Sequence, residues 1–143
     1  MTFVNPLLDT WEKGGTALGV WCGVPSSVSA EMVASVGFDY VCVDMQHGAV
    51  DYPDAVAMFQ AVKAAGSTPI SRVPSNDAGE IGKVLDGGAL GVVVPLVNTP
   101  EQAAAAASAC RYPPKGKRSF GPVRASLVTG SRDIADLHRL RAS

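Results

Sequence analysis

Apolar positions along the chain fall into two alternating rhythms. Short runs rich in β-branched and small apolar residues occur at 17–22, 39–44, 68–73 and 90–95, and each is followed by a segment whose apolar residues recur every three or four positions. The first rhythm predicts buried strands and the second predicts helices packed on them. Punctuation agrees: Ser27 opens a helix through Val36 that Gly37 ends, and Asp51 caps a helix to about Ala65 with Pro53 in its first turn. In that helix Ala55, Met58, Phe59 and Val62 share one face, and Gly66 ends it. The pair Asn76-Asp77 starts a helix with Ile81, Val84 and Leu85 on one side, stopping at Gly87-Gly88. Thr99 caps an alanine-rich helix over 100–110. Ahead of the first strand, Asn5 and Pro6 predict a short N-terminal helix over 4–13, ended by Gly14-Gly15.

Four strand-then-helix units in succession call for right-handed crossovers and a parallel sheet. A doubly wound open sheet and a (β/α)8 barrel both satisfy this. No Gly-x-Gly-x-x-Gly and no P-loop follows the first strand, which removes the main support for a nucleotide-binding open sheet. The expected fold class is therefore α/β, the N-terminal half of a (β/α)8 TIM barrel. It divides as a single partial domain, 1–143: the N-terminal helix in 1–16, four β/α units in 17–110, and a loop and tail in 111–143.

Composition narrows the function. The 143 residues are 47% hydrophobic and 17% charged, and no apolar stretch is long enough for a membrane span. A net charge of −1 without a basic face argues against nucleic acid. The first residues lack the pattern of a signal peptide, which points to the cytoplasm. Cys22, Cys42 and Cys110, an odd count without metal-ligand spacing, read as small buried hydrophobes.

The candidate chemistry sits where strands end. Trp21 closes the first strand, Asp44 and His47 the second, Ser71 and Arg72 the third, and Pro95 with Asn98 the fourth. In barrels that common face holds the active site. His47 is the natural proton carrier near neutral pH, and Asp44 is a carboxylate placed to fix its tautomer. Arg72 can fork onto a carboxylate or a developing oxyanion, with Pro74 stiffening its segment. Together they suggest proton transfer next to a carbonyl. Asp86, in Leu85-Asp86-Gly87-Gly88, ends a helix and so falls at the opposite end of its own barrel, where only a neighbouring subunit could use it. Residues 111–125, rich in Pro, Gly and cations, read as a loop, either solvated or ordered over an anion.

The ordered motifs Gly19-Val20-Trp21, Gly37-Phe38-Asp39-Tyr40, Asp44-x-x-His47-Gly48, Arg72-Val73-Pro74-x-Asn76-Asp77, Leu85-Asp86-x-Gly88-Ala89, Val94-Pro95 and Arg111-Tyr112-Pro113-Pro114-x-Gly116-x-Arg118-Ser119-x-Gly121-Pro122-x-Arg124-Ala125 resemble the HpcH/HpaI aldolase family. These are metal-dependent class II pyruvate aldolases of the 4-hydroxy-2-oxo acid type. The resemblance covers about residues 8–135. It implies a (β/α)8 barrel assembled as a hexamer, which cleaves 4-hydroxy-2-oxo acids reversibly to pyruvate and an aldehyde. It also implies His47 as general base, Arg72 as the group that binds the 2-oxo acid and stabilises its enolate, Asp86 as a carboxylate that raises the histidine's basicity, and Trp21 as a substrate contact. Mg²⁺ or Mn²⁺ would polarise the substrate's oxygens.

The resemblance is incomplete. Such aldolases hold their metal with a glutamate and an aspartate on later strands, in an Ile-Glu pair and a Gly-Pro-x-Asp-Leu run, and nothing after Ala125 supplies either. No metal ligand is therefore assigned, and the chain is read as truncated relative to the family. Residues 133–136 still look family-like, residues 137–143 do not, and His138 is incidental. Four strands leave open edges, so a homo-oligomer pairing the first or fourth strand with a partner is expected. The alternatives are a non-catalytic oligomeric half-barrel module and a metal-independent enzyme acting on 2-oxo acids.

Overall fold

A computed structural model describes residues 3–133. Helix α1 (Pro6–Glu12) begins as expected, with the Asn5 side chain accepting from the Leu7 N–H and Pro6 in the first turn. Strand β1 (Gly19–Cys22), helix α2 (Ser27–Ala34), strand β2 (Tyr40–Asp44), helix α3 (Tyr52–Ala64), strand β3 (Thr68–Arg72), helix α4 (Ala78–Asp86), strand β4 (Val92–Val93) and helix α5 (Pro100–Ala109) follow in alternation. The strands form one parallel sheet in the order β1-β2-β3-β4. Sequential parallel neighbours joined through helices are the successive units of a (β/α)8 barrel, as expected.

The strand alternation sorts side chains between two layers. Val41 and Val43 of β2 face the helices and join Met58, Phe59, Val62, Ile81, Val84 and Leu85 in the main core. Cys42 and Ile70 face the other way and meet Leu7 of α1 in a second, smaller cluster. The thiols behave as buried apolar groups: burial pushes Cys42 up to about 12 and Cys110 up to about 11.

Several boundaries differ from the sequence reading. Ser26, not Ser27, caps α2, because it holds the extended backbone and its hydroxyl accepts from the Ser29 N–H. That helix stops at Ala34 instead of Val36. Strand β4 is two residues long where 90–95 was expected. Its ladder with β3 runs only through Ser71↔Val92 and Arg72↔Val93, and the Val73 N–H makes the last bond, to Val93. A helix α6 (Ala125–Thr129) occupies part of what the sequence presented as loop and tail.

Residues 111–124 form a loop, solvated over most of its length but anchored at a few buried positions. Tyr112 and Arg118 are buried, and Tyr112 packs with Leu90 and Ala125 in a third cluster. Arg124 donates from its main chain to the Asp86 carbonyl and from Nη1 to the Gly87 carbonyl, tying the segment to the end of α4. The tail from 134 onward, with His138, lies outside the described residues.

Candidate active site

Three adjacent strand tips converge on one rim. Asp44 ends β2 opposite Arg72, which ends β3, and the two side chains meet as a fork: Nε donates to Oδ1 at 2.8 Å and Nη2 to Oδ2 at 2.5 Å. On the neighbouring strand, the Trp21 ring stacks on the guanidinium at 4.6 Å from its centroid. Asp44 is 8% exposed while Trp21 is 47% exposed, so the carboxylate is recessed and the indole forms an open wall.

Asp44 does a second task. Its Oδ1 accepts main-chain N–H bonds from Gln46 at 3.0 Å and His47 at 3.3 Å, closing the turn that carries the histidine. The fork from Arg72, opposed by burial and helped by these two N–H groups, lowers the Asp44 carboxyl to about 2. The same pair raises Arg72 above its ordinary value. Expectation and structure part here: Asp44 was placed to orient the His47 imidazole, whereas its contact with His47 runs through the main chain and its carboxylate is engaged by Arg72. Exposed His47 points from a turn that a close backbone crossing fixes. A Cβ on Gly48 would stand 2.2 Å from the Asp44 carbonyl oxygen and 2.8 Å from the Gly23 Cα, and the Ala49 N–H bonds to the Gly23 carbonyl.

Asp86 is not part of this cluster. Helix α4 runs against the strand direction, so its last residue lies at the end of the sheet where strands begin. There the Asp86 Oδ1 accepts from Nη2 of Arg118, a guanidinium that also stacks on the Tyr112 ring at 4.6 Å. Burial raises the Asp86 carboxyl, and Arg118 offsets that only in part. The residue borders a cavity of about 510 Å³ between α3, α4 and residues 119–124, with Tyr52, Gly82, Lys83 and Arg124 on its walls. Sequence reasoning missed Arg118 and Tyr112. The available signal was an aromatic set among cations in a proline-rich run, which is poorly explained by a loop in water.

The metal that the resemblance implies finds no holder here. Among the described residues no group of three or more His, Cys, Asp or Glu side chains converges, and the recessed Asp44 already serves Arg72. These residues do not fit a divalent-metal centre.

A parallel βα array with an acid, a guanidinium and a histidine at the C-terminal strand rim defines a barrel-type α/β protein with its candidate chemistry at the usual face. The profile of the HpcH/HpaI aldolase/citrate lyase family matches residues 17–136, and the chain belongs to that family. It is 40% identical over 132 residues to a hydroxypyruvate/pyruvate aldolase of Rhizorhabdus wittichii, covering 92% of this chain and 53% of that one. It is likewise 40% identical over 130 residues to a 4-hydroxy-2-oxovalerate aldolase of Novosphingobium aromaticivorans, covering 90% and 50%. Among solved structures, an HpcH/HpaI aldolase/citrate lyase family protein from Burkholderia cenocepacia superposes with a TM-score of 0.85 at 30% identity, over 97% of this chain and 58% of that chain. The chain thus spans about half the length of the relatives it matches. No helix among the described residues is long and apolar enough to cross a membrane.

Proposed function

We propose that the chain carries the proton-transfer and enolate-binding half of a cytoplasmic pyruvate aldolase, which cleaves 4-hydroxy-2-oxo acids to pyruvate and an aldehyde. The observation that carries this reading is the meeting of Trp21, Asp44, Arg72 and the His47 turn on one rim. The free state of all three cysteines agrees with a reducing compartment.

In this reading His47 takes the proton from the substrate's 4-hydroxyl. The C3–C4 bond then breaks, the aldehyde leaves, and the electron pair moves through C3 onto the C2 carbonyl oxygen. Arg72 faces the resulting enolate and stabilises its negative charge. Protonation at C3 releases pyruvate. Asp44 holds the guanidinium at the rim, and Trp21 walls the pocket on the solvent side. Asp86 acts on the histidine of a neighbouring copy, because its own lies at the other end of the sheet. The divalent ion of the family resemblance would take its ligands outside the described residues.

A non-catalytic assembly module is the second reading. Leu18, Val24, Val28, Met32 and Val36 are exposed on or beside β1 and α2, at an edge that calls for cover. Pyruvate release from a 4-hydroxy-2-oxo acid, followed while Mn²⁺ is titrated, separates the two. Turnover that His47→Gln lowers by about 100-fold or more supports the aldolase. Its absence at every metal concentration supports the module, and turnover that survives a chelator points to a metal-independent 2-oxo acid enzyme.

A further inference from the structure

Arg118 is the most deeply placed charge among the described residues, 3% exposed. It forms one ion pair, from Nη2 to the Asp86 Oδ1, while Nε and Nη1 have no hydrogen-bond partner among the described residues. A buried guanidinium with a single acceptor is not held in place by a network of bonds. It is held by packing: the ring of Tyr112 lies against its plane, and Phe120 tilts against that ring with centroids 5.2 Å apart. The position of the cation is therefore set by the 111–120 segment, and the carboxylate follows it.

What this does to Asp86 is specific. Oδ1 is turned inward to Arg118, and Oδ2 has no hydrogen bond among the described residues. A Cβ on Gly121 would meet Oδ2 at 3.7 Å, so a glycine leaves this oxygen uncovered on the cavity side. Asp86 is also the final residue of α4, where the negative end of the helix dipole opposes an ionised carboxylate. Without the buried cation, nothing within hydrogen-bond reach favours either its charge or this rotamer.

We propose that Arg118 is a positioning residue for Asp86: it anchors one carboxylate oxygen and thereby presents the other, ionised, to the α3–α4 cavity as an acceptor for a proton donor from outside this fold unit. This rests on the reading above that Asp86 serves a neighbouring copy's histidine. The charged and titratable groups around the carboxylate are Tyr52 on α3, Lys83 on α4, and Tyr112, Arg118 and Arg124 on the following segment. Lys83 is occupied by the Tyr52 ring, and the Arg124 guanidinium by the Gly87 carbonyl. Arg118 alone among them bonds the carboxylate side chain.

The test is a carboxyl-carbon NMR titration of Asp86 in the intact chain, comparing the wild type with Arg118→Met and Arg118→Lys. Loss of the cation should move the Asp86 midpoint upward by about one pH unit. Lysine, which keeps the charge without the planar fork, should move it by less; that variant gives the answer if the methionine form does not fold. Unchanged midpoints in the folded variants would overturn the proposal, even if both lose thermal stability. Pyruvate release by Asp86→Asn separates this proposal from the reading it rests on. A shifted midpoint with undiminished release would sink the role of Asp86 but keep its anchor, whereas abolished release with an unshifted midpoint would sink the anchor alone.

Discussion

Replacing Asp44 by Asn removes one charge and almost no volume from the rim. Asparagine keeps an oxygen that can accept from the Gln46 and His47 N–H groups, so the turn retains its cap. What disappears is the charged half of the fork with Arg72. The carboxyl falls from its ordinary 3.8 to about 2 in the folded chain. Taken at face value such a shift is worth about 2 kcal/mol, and solvent screening at an open rim reduces it to about 1 kcal/mol. Because the folded value is depressed, this stability is complete above the unfolded value, declines as the pH drops from about 4 towards 2, and is absent below that. Urea unfolding followed at pH 7, 4 and 2.5 should therefore find Asp44→Asn less stable by about 1 kcal/mol at neutrality, with the difference closing at the acid end. A difference that stays constant across this range, or a variant as stable as the wild type at pH 7, would refute the account of the fork.

Gly48→Ala should be among the costliest single-methyl additions, because the new Cβ would collide with the Asp44 carbonyl and the Gly23 backbone, neither of which can swing aside. A loss of about 2 kcal/mol or more is expected, read as a drop in Tm, with His47 displaced. The uncovered β1 edge and the apolar surface of α2 predict self-association, so light scattering at micromolar concentration should find a dimer or a larger assembly. A monomer there would refute edge pairing.

How far the chain explains itself depends on the range of the interaction. Asn5-Pro6, Asp51 with Pro53, and Thr99-Pro100 announce helix starts through bonds made within three residues, and each was legible. The strand tips were legible too, since a β-branched run ending in Asp44 or Arg72 fixes which end is polar. The partner of Asp44 was not. His47 is three residues away and Arg72 twenty-eight, and only the register of β2 against β3 decides between them. Arg118 failed for the same reason in stronger form. Its composition reads as solvent-exposed, and its burial depends on Asp86, thirty-two residues back, together with an aromatic pair that periodicity cannot reveal.

The stack of Trp21 on Arg72 has a practical corollary. An indole held on one side by a cation and open on the other emits according to where that cation sits. Any small anion that draws the guanidinium off the ring would change the intensity or colour of the light, whether or not a bond is later broken. Trp11, on α1, is the chain's other indole and adds its own emission. The rim thus carries its own optical gauge of occupancy, readable without a label and before turnover is known.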